Sequence, residues 1–435
     1  MGAAAGPIGS FSLPVARSPG TFAGATREGI ADMTAPEPDL TQEEMVARAR
    51  ALAPEVREDA EAAEKRGYYS PALHQKFRDA GFYRIFVPKR FGGYEFDFPT
   101  YYRVMLAIAA ADPGIGWCLA LGSSHALHVA SYYPPAAQEK IFGPTEEFIA
   151  PGSLPARAKP QCVATPDGDG WRISGKWPYA SGSPYSSHLL GGAHVKDAPD
   201  QRMMIVIPRD QYEVLDDWGA ILGLKSSGSN SIVVKDGWIP RDFALPMEKF
   251  GPSGADTPGW RFHGNSLYAG QFLGYAGGSL ACSQVGAAKA AMAEYERIIR
   301  SSRAHYGADV LKIEHPDFQR VFGLGMSMTL AAEALLLDTG RMYMEYSRGE
   351  VSGEPFSTLK AYQMMGIHHQ IIRLAWEAGL EFFRAASSSN ALDGQPMQRF
   401  FRDLATFKNN ATHQADFFAP EIARVYFGLA GGLTL

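Results

Sequence analysis

Two histidines and a serine are the residues in this chain whose types and settings best suit proton-handling chemistry. His413 follows the run Arg399-Phe400-Phe401-Arg402-Asp403 by ten residues, and no glutamate occurs between Glu381 and Glu421. An imidazole there can hold or pass a proton near neutral pH without adding fixed negative charge. His125 and His128 stand three apart in a nearly all-apolar stretch, a spacing that puts both on one helical face. A metal would need a third ligand, and none is identifiable from the sequence. Ser181 precedes Gly182 after the aromatic run Trp177-Pro178-Tyr179. Taken alone, His125 reads as a satisfied core histidine, His413 as a helix-end residue and Ser181 as a turn residue. Arg402 and Asp403 read as an internal ion pair that orients a helix.

These residues need a scaffold, and the composition sets its bounds. The chain has 435 residues, 46% hydrophobic and 20% charged, which suits a globular protein of roughly two or three domains. A net charge of −5 argues against nucleic acid and anionic membranes as partners. The three cysteines, Cys118, Cys162 and Cys282, form no CxxC pair; they read as small buried hydrophobes in a reducing cytoplasm. No run reaches the ~18 uninterrupted apolar residues of a membrane span. Residues 1–38 are rich in Ala, Gly, Pro and Ser and read as a disordered extension without a secretory or myristoylation pattern, with Met33 as an alternative start.

The elements follow the hydrophobic period. Residues 39–147 read as a helical domain. Thr41-Gln42-Glu43-Glu44 opens its first helix as a capping box, and Tyr101–Ala110 and Gly116–Tyr132 are two more helices, the second buried. Residues 148–250 read as a β domain, a small barrel or sandwich. In it Asp167-Gly168-Asp169-Gly170 turns between Gln161–Ala164 and Trp171–Ser174, and Met203–Ile207 and Ser231–Lys235 are strands. Residues 251–435 read as a helix bundle built from Gly270–Ser301, Pro316–Gly349, Phe356–Ala386 and Met397–Asn410. Such long apolar helices call for burial against copies of themselves, hence a homo-oligomer, taken as a homotetramer. His368 and His369 lie mid-helix, one facing a subunit contact.

Four runs in this order resemble the acyl-CoA dehydrogenase superfamily, and more narrowly the oxygenase components of two-component flavin monooxygenases within it. They are Asp112-Pro113-Gly114-Ile115-Gly116-Trp117 with His125; Gly152-Ser153-Leu154-Pro155 ahead of Trp171 to Gly182; Trp218 to Asn230; and Arg402-Asp403 with His413. The resemblance runs from about Leu40 to the C-terminus and implies an α+β fold: an N-terminal helical domain, a central β-barrel or sandwich and a C-terminal four-helix bundle. A dehydrogenase of that superfamily usually carries a base carboxylate, and neither Asn409–His413 nor Arg300–Gly307 contains one. The glycines at Gly274–Gly278 and Gly428–Gly432 lack a preceding strand, so neither cluster is a dinucleotide fingerprint.

The resemblance implies roles for particular residues. Ser181 offers its hydroxyl to N5 of the flavin, beside Gly182, and Trp177 lines the ring. His413 sits over the reacting edge and steadies a flavin hydroperoxide. His125, helped by Ser153, binds and deprotonates a phenolic substrate. Arg303, with Arg300 as the lesser choice, reaches the flavin phosphate or tail. Tyr179, Phe400, Phe401, Phe407 and Phe417 are further candidates for a dry aromatic lining. The implied cofactor is reduced FMN (FMNH2) or FADH2, not covalently bound, supplied by a separate NAD(P)H-flavin reductase. The implied substrates are O2 and a small aromatic molecule. N- or S-oxygenation on the same fold, a dehydrogenase with a displaced base, and a non-enzymatic scaffold remain as alternatives.

Overall fold

The computed structural model describes residues 35–143, 147–153, 162–250, 256–304, 310–410 and 414–429. The N-terminal helices begin where side chains can cap them. Thr41 accepts from Glu44 N–H and Glu44 accepts from Thr41 N–H, a reciprocal box that opens helix α1, Gln42–Arg66. Helix α2 is Pro71–Asp79. Asp97 caps α3, Phe98–Ala109, and Asp112 caps α4, Pro113–Tyr132. Both start three residues earlier than the apolar pattern alone suggested, because proline in the first turn costs no hydrogen bond. A short α5, Pro135–Ile141, follows. Nearly every residue of α4 is buried. It lies against α3 and the first bundle helix at one close approach: a Cβ on Gly116 or on Gly286 would meet Ala109 at 2.5 or 2.4 Å.

The central sheet has eight strands: β1 Gly152–Ser153, β2 Val163–Asp167, β3 Gly170–Trp177, β4 His188–Val195, β5 Ala198–Pro208, β6 Glu213–Val214, β7 Ile232–Pro240 and β8 Ala244–Pro246. The order is β6-β7-β3-β2-β4-β5-β8, with β1 parallel to β4. The expected hairpin is present as β2 and β3, pairing Val163 with Ser174 and Asp167 with Gly170. Gly168 at its turn has φ +59°, which suits glycine. Strand β4 was not anticipated. Its sequence, His-Leu-Leu-Gly-Gly-Ala-His-Val, lacks the period-two alternation because its six central residues are all buried.

A short α6, Pro258–His263, leads to the bundle helices α7 Ala276–Ser301, α8 Pro316–Ser352, α9 Thr358–Ala385 and α10 Pro396–Lys408, with α11 Ala415–Tyr426 beyond them. Gly270–Tyr275 is not part of α7; it holds one short 3-10 turn, Phe272–Gly274, after another at Ser266–Ala269. Among the described residues α8 alone is long and apolar enough to cross a membrane by length and composition. It packs on α9 and α7, and it exposes Leu324, Leu330 and Leu335.

Candidate active site

A cavity of about 990 Å³, open to the surface beside Tyr179 and Leu222, lies where α4, the sheet, α7 and α10 meet. Helix α4 contributes Trp117, Leu121, Ser124, His125 and His128, a single face at helical spacing. The sheet and its loops contribute Lys176, Trp177, Ser181, His194, Ser227 and Ser229, and the turn into α7 contributes Phe272 and Tyr275. Thr406, Phe407, Asn409 and Asn410 close it from the end of α10.

His125 is buried, and its Nδ1 lies 2.7 Å from the carbonyl of Ala150. A carbonyl only accepts, so Nδ1 carries the proton and Nε2 keeps a lone pair. Burial holds the ring's pKa down at about 4, so it is neutral at physiological pH. Glycine at 152 is required here, since a Cβ would meet His125 Cε1 at 2.3 Å. His128 is buried beside it, with ring centroids 4.9 Å apart. Burial and then the neighbouring His125 drive its pKa well below the usual histidine value.

Ser181 is buried in a relay of hydroxyls. The indole N–H of Trp117 donates to Ser181 Oγ at 2.8 Å; Ser181 and Ser229 lie 2.8 Å apart, and Ser229 and Ser227 2.7 Å. An indole N–H cannot accept, so Trp117 fills an acceptor site on Ser181, whose own proton can go to Ser229 or to a ligand. Gly182 adopts φ +82° and donates its N–H to the carbonyl of Ser227 at 2.9 Å, which fixes the turn that presents Ser181. Trp177 ends β3, fully buried, with its indole donating to Gly192 O at 3.0 Å. Phe407 stands edge-on to Trp117, ring centroids 5.1 Å apart.

Ser153, in β1, pairs through its backbone with Gly191 of β4. His413 lies outside the described residues, although Asn409 and Asn410, just before it, line the cavity. Arg303 sits exposed beyond the end of α7, its backbone bridged to Leu311, and is not among the cavity-lining residues; Arg300 pairs with Glu296. Arg402 and Asp403 do not form an ion pair. Arg402 reaches Glu64 at 3.0 Å, whereas the buried Asp403 accepts from Leu224 N–H at 2.6 Å. Neighbours on a helix point about 100° apart, so each found its own partner. Of the expected aromatic lining, Trp177, Tyr179 and Phe407 line the cavity; Phe417 is 65% exposed, and Phe400 and Phe401 pack elsewhere. His368 and His369 are both buried within the chain.

Sequence reasoning missed two contributors. The Gly116-Trp117 pair was visible, but not the bond from its indole to Ser181. His194 lines the cavity with Nδ1 2.7 Å from Pro199 O, so its Nε2 is also a lone pair, buried and without a partner among the described residues. The strand that carries it gave no periodic signal.

Two family models match the chain: the acyl-CoA dehydrogenase N-terminal domain over residues 39–145 and the acyl-CoA dehydrogenase C-terminal domain over residues 279–415. Together they span more than half of it. The chain belongs to the acyl-CoA dehydrogenase superfamily. Within that superfamily it falls in the flavin-dependent monooxygenase branch. It is 27% identical over 389 residues to the flavin-dependent monooxygenase oxygenase subunit HsaA of Rhodococcus jostii (strain RHA1), covering 88% of this chain and 96% of that one. It is 30% identical over 282 residues to the oxygenase component of the FADH(2)-dependent resorcinol hydroxylase of Rhizobium sp. (strain MTP-10005), covering 62% and 66%. Among solved structures, XiaF from Streptomyces sp. in complex with FADH2 and glycerol shares the fold, with a TM-score of 0.82, 20% identity and coverage of 90% and 97%.

Proposed function

We propose that this chain is the oxygenase component of a two-component flavin monooxygenase. It takes reduced FMN or FAD from a separate NAD(P)H-flavin reductase and hydroxylates a small phenolic substrate held against α4. The observation that carries this reading is one cavity lined both by buried, neutral His125, which keeps a lone pair, and by the Ser181 hydroxyl, which accepts from Trp117. Relatives named as hydroxylases of aromatic compounds support it. The cavity also fits a flavin. Its size lies at the upper end of ligand pockets, roughly 300–1,000 Å³, and apolar walls surround a few convergent hydroxyls. When bound, reduced flavin supplies the electrons and the activated oxygen. Ser181 would hold the ring by donating its hydroxyl, and Trp177 would wall it.

His125 works by timing rather than by strength. A phenol near pKa 10 facing an imidazole at about 4 makes full proton transfer uphill by roughly six pKa units, or ~8 kcal/mol. The ring therefore accepts a hydrogen bond from the substrate hydroxyl and orients it. As the aromatic ring gains oxygen, that hydroxyl becomes strongly acidic and its proton passes to Nε2. A burial that keeps imidazole neutral also keeps water from the reacting atoms. The exposed leucines of α8 support a homo-oligomer that covers them.

The test is turnover of a phenol such as 2-naphthol with reduced FMN under ¹⁸O2. One ¹⁸O atom in the product is expected. Product labelled only from water, or flavin oxidised with no product from any phenol, would remove the proposal.

A further inference from the structure

The second histidine on the α4 face has no role in the reaction described above, yet its surroundings restrict what it can do. His128 lines the cavity, and its Nδ1 is buried with no hydrogen-bond partner among the described residues. A neutral imidazole carries one N–H. Placing it on Nδ1 would bury an unpaired donor, which costs more than leaving a lone pair unused. The proton therefore sits on Nε2, the nitrogen left for a ligand. His125 has the opposite tautomer, fixed by Ala150. The two rings thus offer one acceptor and one donor, with centroids 4.9 Å apart and planes tilted by 39°.

The rest of the neighbourhood holds this pair in place. His128 meets Phe250 and Phe272 edge to face at 5.3 and 5.1 Å and Tyr275 at 5.5 Å. None of these carries a charge. Among the described residues lining the cavity the single formal charge is Lys176, whose side chain is half exposed and paired with Asp217 at 3.3 Å. The inner end is thus polar but neutral.

We infer that His125 and His128 form a paired acceptor–donor subsite for a phenol bearing a second oxygen substituent on the same edge of its ring. This rests on the phenolic reading above. The substrate hydroxyl donates to His125 Nε2, and the neighbouring hydroxyl or carbonyl oxygen accepts from His128 Nε2–H. A substrate with its second oxygen across the ring cannot reach both imidazoles. A carboxylate in that place finds no cation among the described residues to replace its hydration.

Fluorescence titration of the purified chain, without flavin, tests this with 2-naphthol, 2,3-dihydroxynaphthalene and 2,6-dihydroxynaphthalene. One extra hydrogen bond gives 2,3-dihydroxynaphthalene about tenfold tighter binding than 2-naphthol, with the 2,6-isomer near 2-naphthol. His128→Phe keeps the aromatic contacts and brings the ratio of the first two affinities close to one; His128→Asn, which keeps a donor, restores part of it. Equal binding of 2-naphthol and 2,3-dihydroxynaphthalene by the wild-type chain overturns the inference while leaving the phenolic reading intact. So does a preference that survives in His128→Phe. If no naphthol binds at all, both fall together.

Discussion

Replacing Trp117 by phenylalanine removes the indole N–H and, at this buried position, part of the ring's bulk. An aromatic ring still faces Phe407, but the 2.8 Å bond to Ser181 Oγ is lost. A neutral hydrogen bond contributes about 0.5–1.5 kcal/mol net, and a buried acceptor left short of a donor adds to the loss. The variant should be ~1–2 kcal/mol less stable. The larger effect is on chemistry. Without the indole, Ser229 is the remaining side-chain partner of Ser181 among the described residues, and the Ser181 hydroxyl is held less firmly toward the flavin. A bias of ~1–2 kcal/mol corresponds to roughly a five- to thirtyfold change in the ratio of hydroxylated product to hydrogen peroxide. The assay mixes protein with reduced flavin anaerobically, then with oxygenated buffer and a phenol, and quantifies both products. Ser181→Ala and the double variant complete a cycle. Trp117 acts through Ser181 only if the double variant is no worse than Ser181→Ala. A Trp117→Phe chain that keeps the wild-type product ratio, or losses that add in the double variant, would refute the reasoning.

Other consequences follow from the same geometry. Gly152→Ala should push the His125 ring off Ala150, because the new Cβ would sit 2.3 Å from Cε1; the apparent KM for a phenol should rise about tenfold, with secondary structure by circular dichroism unchanged. Acid should destabilise the fold. His125 has a folded pKa of about 4 against roughly 6.5 unfolded, so the unfolded chain binds the extra proton between those values. Stability from this residue is intact above ~6.5 and falls by about 3 kcal/mol as pH drops to 4, which urea midpoints at several pH values would reveal. Asp403 has the opposite sense. Burial, and then the nearby Asp112, raise its pKa, so folding favours its protonated form and stability declines as pH rises through that range. Asp403→Asn keeps an acceptor for Leu224 N–H and should flatten the decline on the alkaline side; a variant with the wild-type slope would contradict this.

Much of this site could be read from residue types and periodicity, and the parts that could not share a cause. His125 and His128 announced themselves through helical spacing in an apolar stretch, and Asp112 with Pro113 marked where α4 begins. The hairpin of β2 and β3 was written in Asp167-Gly168. What escaped were relations set by tertiary packing. The bond between Trp117 and Ser181 spans 64 residues and exists only because the turn at Gly182 folds back on the Ser227–Gly228 carbonyls. Strand β4, with His194, is buried on both faces and so loses the alternation that identifies strands. Asp403 looked like a partner for Arg402 because the two are adjacent, but helix geometry sends them to different neighbours. His413, expected from the sequence over the reacting edge, falls outside the described residues; Asn409 and Asn410 before it line the cavity.

A crystal structure of the chain soaked anaerobically with reduced FMN tests the central claim most directly, which is that one cavity holds the flavin between the Ser181 relay and the α4 imidazoles. The expected density places the isoalloxazine beside Trp177, with N5 within hydrogen-bonding distance of Ser181 Oγ and open space between the ring and His125. Density for the flavin elsewhere, or a ring whose N5 meets no side chain of the relay, would contradict it.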